Sequence, residues 1–128
     1  MKDEISIIDT ARHTIEMESK AISNLATLIT DDFAHAVKLI YNSKGRVIIT
    51  GIGKSAIIAN KIVATLNSTG TPAIFMHAAD AIHGDLGLIL KDDVVICISK
   101  RGNTPESKVL SPVIKRAKNK MIAITGKI

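Results

Sequence analysis

The chain has 128 residues, enough for one domain with a single buried core. Hydrophobic residues make up 46% and charged residues 23%, which excludes a disordered chain; with aromatics at 2% and no Trp, the core must be aliphatic. The formal charge is +5, and between Lys100 and Ile128 eight Lys or Arg face one acid, Glu106. A basic stretch of this kind suits nucleic acid or an anionic small molecule, and the lack of interleaved aromatics for base stacking favours the small molecule. No nucleic-acid partner is therefore expected. No apolar run approaches the ~20 residues needed to span a bilayer, and no apolar stretch follows a basic start, so the sequence predicts a cytoplasmic protein without membrane contact. The lone Cys97 sits in an apolar run and is expected to be a buried core thiol.

Residues 5–29 place Ile8, Ala11, Ile15, Ile22, Leu25 and Ile29 at helical spacing. Asp31 and Asp32 mark the start of a second helix, with Phe33, Val37, Ile40 and Tyr41 on one face and Gly45 as its stop. The pattern then changes to short β-branched runs: 46–50, 73–76, 94–98 and 121–124. Continuous apolar runs suit strands covered on both faces. Helical stretches over 55–67, 78–83 and 105–118 separate them. Strands alternating with helices predict an α/β fold, a three-layer α/β/α sandwich with a parallel sheet, preceded by two helices. Ligands of such sheets bind at the carboxyl ends of the strands.

The loop after the first strand reads Thr50-Gly51-Ile52-Gly53-Lys54-Ser55. Its glycines permit close backbone approach, and the next helix offers N–H groups to an anion. A phosphate-binding Walker loop would need Gly where Ile48 stands, and a dinucleotide fold would want an acid where His77 and Ala78 stand. After the third strand comes Ser99-Lys100-Arg101-Gly102-Asn103-Thr104-Pro105-Glu106. This reads either as an anion nest with a carboxylate at its rim or as a capped helix start. Between the loops lie His77 and His83, six apart, which is not the spacing of a helical zinc pair. Acid–base work, metal binding and core packing all remain open for them.

Together these segments resemble the SIS (sugar isomerase) domain, in its arabinose-5-phosphate isomerase branch. The shared motifs are Gly51-Ile52-Gly53-Lys54-Ser55, Ser68 to Pro72, His77 to Gly87 and Ser99 to Glu106. The resemblance covers roughly residues 5–126. It implies the SIS fold and reversible interconversion of D-ribulose 5-phosphate and D-arabinose 5-phosphate, feeding Kdo for lipopolysaccharide or capsule. It assigns catalysis to Lys54, His83 and Glu106, with the base either Glu106 or His83. It assigns substrate contacts to Gly53, Ser55, Gly70, Thr71, His83, Ser99, Arg101, Gly102, Asn103 and Thr104. No cofactor is implied, but His77 falls on a histidine that takes an inhibitory zinc. A homodimer or homotetramer is implied. One departure stands out: Arg101 replaces the second serine of the phosphate loop. The resemblance further implies an incomplete SIS domain over residues 1–128, without a later histidine-bearing segment or the tandem CBS domains many members carry. The chain by itself is then expected to show little turnover. The competing reading is a non-catalytic module that binds a sugar phosphate.

Overall fold

A computed structural model describes residues 3–82, 85–101, 108, 112, 114 and 118–126. The chain forms two compact units, residues 1–35 and residues 36–128.

In the first unit, helix α1 spans Glu4–Leu25. Asp3 caps it, its carboxylate accepting from the Ser6 N–H at 2.8 Å, and Glu4 adds negative charge to the first turn. The sequence pattern carries a single helix to residue 29, but the α-helix ends at Leu25 and a 3-10 turn follows over Ala26–Leu28. The Thr27 hydroxyl donates to the Asn24 carbonyl at 2.7 Å, a local bond that competes with regular helix there. No residue of α1 is buried.

Helix α2, Asp31–Tyr41, begins where the paired aspartates predict. Thr30 starts it, accepting from Phe33 N–H through its carbonyl and from Asp32 N–H through its hydroxyl. Gly45 is not its stop. A Cβ there would lie 2.4 Å from the carbonyl carbon of Asp92, so glycine is required for close passage of two loops.

The second unit is built on four strands: β1 Val47–Gly51, β2 Ala73–His77, β3 Val94–Ser99 and β4 Lys120–Thr125. All pairings are parallel and the order is β2-β1-β3-β4. Each strand contains its sequence-predicted run, except that β1 opens at Val47 rather than Arg46, whose side chain serves the loop below. Between β1 and β2 runs α3, Lys54–Ser68; after β2 come α4, Ala78–Ile82, and a 3-10 turn over Asp85–Leu88. Of the 105–118 stretch, Lys108, Pro112 and Ile114 are described as helical.

Alternation along the strands sorts the core into two layers. Val47, Ile49, Ala73 and Ile96 pack under Ala59, Ile62, Val63 and Leu66 of α3. Ile48, Met76 and Val95 pack on the opposite face under Ala78 and Ala81 of α4 and under Ile114. Helices thus flank the sheet on both faces, a three-layer α/β/α sandwich, with most of the edge strand β4 left exposed.

The amino-terminal edge of the sheet is closed by polar staples. The Asp93 carboxylate, 2% exposed, accepts from Arg46 N–H at 2.8 Å, Arg46 Nη2 at 2.8 Å, Arg46 Nε at 3.3 Å and Leu90 N–H at 2.7 Å. Asn119 Nδ2 donates to the Leu90 and Asp93 carbonyls, both at 2.9 Å. Asn67 meets Ala73 with both ends of its amide, at 2.8 and 3.0 Å, standing in for a strand partner.

Candidate functional site

The carboxyl edge of the sheet is open. Strands β1 and β3 are neighbours, yet the α3 that follows β1 packs on one face, while Ile114, later in the chain than β3, packs on the other. This is the switch point of a doubly wound sheet, where departing chains part and leave a crevice. A cleft of about 190 Å³ lies there. Thr50, Gly51, Ile52 and Ser55 form one wall, and Cys97, Ile98 and Ser99 the other. Ala78 completes the lining, and exposed Lys100 and Arg101 stand at the mouth.

The glycine loop shapes the first wall. A Cβ on Gly51 would lie 3.0 Å from the Ser55 carbonyl carbon, so glycine lets the start of α3 settle against the strand end. Gly53 has φ +60° and ψ −128°, a conformation for glycine, and nothing lies within 4 Å of where its Cβ would be. The helix begins on the next residue with no side-chain cap and no acid in its first turn. Its first N–H groups and positive dipole end thus stand beside the cleft, ready for an anion. Ser55 lines the wall; Lys54 is exposed and lies off it.

The second wall is the end of β3. Ser99 is buried and lines the cleft. The Lys100 carbonyl accepts from Gly126 N–H at 3.0 Å, tying the ends of β3 and β4 together. Burial pushes the Cys97 thiol up, but the residue is half-buried and lines the cleft rather than sitting in the core as expected from its apolar run. Thr50, 1% exposed, is not among the site residues expected from sequence. Its Oγ1 is buried and has no hydrogen-bond partner, a situation that costs about 1–3 kcal/mol. The sequence signal is a hydroxyl closing an otherwise apolar strand.

Other sequence-predicted residues fall elsewhere. Gly102, Asn103, Thr104 and Glu106 lie outside the described residues, as does His83. Gly70 and Thr71 stand at the amino edge of β2, at the opposite end of the sheet from the cleft. There they end α3: Gly70 takes φ +93°, and Thr71 N–H donates to the Leu66 carbonyl at 2.9 Å.

His77 pairs in register with Gly51, next to the glycine loop, and sets its ring edge-on to Phe75 at 6.2 Å. Its Nδ1 accepts from the Ala79 N–H at 3.2 Å. A neutral imidazole that accepts at Nδ1 carries its proton on Nε2. Metal-bound imidazoles do the reverse, donating through the nitrogen that does not hold the ion. Among the described residues, no group of three or more His, Cys, Asp or Glu could hold a metal ion.

The chain is thus a parallel doubly wound α/β domain with a hydroxyl-bearing cleft, beside two exposed cations, at its switch point. Over residues 39–127 the sequence matches the SIS domain, and the chain belongs to that family. It is 46% identical over 126 residues to arabinose 5-phosphate isomerase KdsD of Pseudomonas aeruginosa, covering 98% of this chain and 39% of that protein. It is 42% identical over 122 residues to arabinose 5-phosphate isomerase GutQ of Shigella flexneri, covering 95% of this chain and 38% of that protein. The chain thus spans about two fifths of the length of these relatives. Among solved structures it resembles an E. coli CFT073 protein in complex with arabinose 5-phosphate, with a TM-score of 0.90 and 40% identity, over 97% of this chain and 66% of that one. Among the described residues, no helix is long and apolar enough to cross a membrane.

Proposed function

We propose that the chain is the sugar-phosphate-binding part of an aldose–ketose isomerase that interconverts D-ribulose 5-phosphate and D-arabinose 5-phosphate, supplying Kdo for lipopolysaccharide or capsule in the cytoplasm. The observation that carries this reading is the cleft between the carboxyl ends of β1 and β3. It combines the uncapped start of α3, the Ser55 and Ser99 hydroxyls and the cationic rim of Lys100 and Arg101. The relatives narrow the anion to a pentose phosphate.

The phosphate is held by the start of α3 and by the loop from Ser99 through Arg101, Gly102, Asn103 and Thr104. The reaction moves a proton between adjacent carbons through an enediolate. It needs a base over the carbon, a cation near the developing oxyanion and a group that opens the sugar ring. Glu106 and His83 share the roles of base and ring-opening group, and Lys54 stabilises the enediolate oxygens. No step requires a cofactor or metal.

Within one chain Gly70 and Thr71 sit at the far end of the sheet from the cleft, so they reach a substrate only in a second copy's site. This favours a homodimer or homotetramer. The test is direct: incubate the whole protein with ribulose 5-phosphate and follow both pentose phosphates. Interconversion is expected, and Lys54→Ala, His83→Ala and Glu106→Gln should each lower turnover ~100-fold or more. Tight binding without turnover would instead make the domain a sensor of sugar phosphate.

A further inference from the structure

The buried hydroxyl at the base of the cleft has no role in what precedes. Thr50 follows Ile48 on the same face of β1, so the space beneath it along the strand is apolar. Its register neighbours on either side are Met76 of β2 and Cys97 of β3. Neither side chain carries an oxygen or nitrogen. The neighbouring strands therefore offer this hydroxyl nothing better than weak sulfur acceptors, and Oγ1 has no hydrogen-bond partner among the described residues. Buried polar groups in native proteins are nearly always paired, and exceptions concentrate where a ligand or water completes the site. Thr50 is itself part of the cleft's lining, together with Ser55 and Ser99.

We propose that Thr50 is a specificity-determining residue whose hydroxyl is completed by an uncharged oxygen of the bound sugar chain. This rests on the sugar-phosphate reading above. The charge distribution selects the partner. The cations and the uncapped helix start lie at the mouth, whereas Thr50 is flanked by methionine, isoleucine and a neutral thiol. A phosphate dianion among such neighbours would lose its hydration for a single hydroxyl. The phosphate stays with the rim, and the floor takes a hydroxyl or carbonyl oxygen, to which threonine can donate or from which it can accept.

The experiment compares wild type with Thr50→Val, which keeps the shape and removes the hydroxyl, and Thr50→Ser, which keeps the hydroxyl. Each is melted without ligand and titrated by calorimetry with arabinose 5-phosphate and, separately, with inorganic phosphate. Thr50→Val should melt a few degrees higher, because an unpartnered polar group is gone. It should bind arabinose 5-phosphate about tenfold more weakly, the loss expected for one hydrogen bond, and bind inorganic phosphate within about twofold of wild type. Thr50→Ser should bind the sugar phosphate within about threefold of wild type. Equal affinity of Thr50→Val and wild type for arabinose 5-phosphate would overturn the proposal. So would a lower melting temperature for Thr50→Val, since the hydroxyl would then have a partner, such as a water, in the free protein. Equal weakening toward both ligands would assign the hydroxyl to phosphate and overturn it too. Failure of wild type to bind arabinose 5-phosphate would sink the functional reading itself, and this inference with it.

Discussion

Replacing Asp93 by Asn should destabilise the domain by about 3 kcal/mol at neutral pH. The carboxylate accepts four hydrogen bonds, two on each oxygen: Arg46 N–H and Nε reach Oδ1, and Arg46 Nη2 and Leu90 N–H reach Oδ2. An asparagine keeps one oxygen, but its amide nitrogen then faces two donors. Two charge-assisted bonds of about 1.5–3 kcal/mol each are lost, and Arg46 loses its counter-charge. The Arg46 side chain is 27% exposed, so water takes over part of its solvation and the low end of that range applies. For a domain of this size the loss lowers the melting temperature by roughly 10 °C. The pH dependence has a definite sign. Burial alone would raise the Asp93 carboxyl, but the bonds from Arg46 and from the Leu90 and Arg46 backbone outweigh it and hold the group below the usual carboxylate range. Its contribution is therefore fully present above about pH 4, the unfolded value, and is lost as pH falls through the lower folded value. Urea unfolding of both proteins by circular dichroism, from pH 7 down to pH 3, measures this. The gap should hold to about pH 4 and narrow below it. A gap under 1 kcal/mol at pH 7, or one that stays constant to pH 3, would refute the account.

Gly53→Ala should cost about 1–3 kcal/mol from backbone strain alone, because its Cβ would meet no neighbour; thermal melts check the stability and phosphate titration the accompanying loss of anion affinity. Gly45→Ala should cost about 2 kcal/mol or more, since its Cβ would overlap the Asp92 carbonyl and part the two loops; the same melts check it, with anion affinity little changed. Arg101→Ser should tighten binding of arabinose 5-phosphate and flatten its salt dependence, as an exposed rim cation that crowds the cradle would predict; a tenfold loss would make the arginine a direct phosphate ligand.

The fold was legible because its signals are local. Four continuous apolar runs separated by helical stretches suit a parallel sheet between helix layers; the structure buries β1 and most of β3 in this way, while most of the edge strand β4 is exposed. The start of the second helix, marked by Asp31 and Asp32, is likewise a signal carried within one turn. What escaped the sequence depends on residues far apart. Gly45 looks like a helix stop until Asp92 is seen against it, and Arg46 looks like the first strand residue until its side chain is found around Asp93. The motif marks Gly70 and Thr71 as substrate contacts, but only strand direction shows that they stand at the edge of the sheet away from this chain's own cleft. The type and position of His77 single it out in the sequence, but its hydrogen bond from the Ala79 N–H is seen only in the structure.

The two edges of the sheet show why the site lies where it does. At the amino edge every polar group named above is spent: Asp93 on four donors, Asn119 on two carbonyls, Asn67 on both sides of Ala73. The hydrogen-bonding capacity of these three side chains is turned inward, where it ties the strand ends and their loops together. At the carboxyl edge the balance is reversed. The start of α3 has no cap, Thr50 Oγ1 has no partner, and Lys100 and Arg101 stand at the rim with no salt bridge formed among the described residues. Unspent donors and unbalanced positive charge are unfavourable in the empty domain and become favourable when an anionic, hydroxyl-rich molecule enters. Stability held at one edge thus permits the other to remain incomplete, and the incompleteness is the affinity.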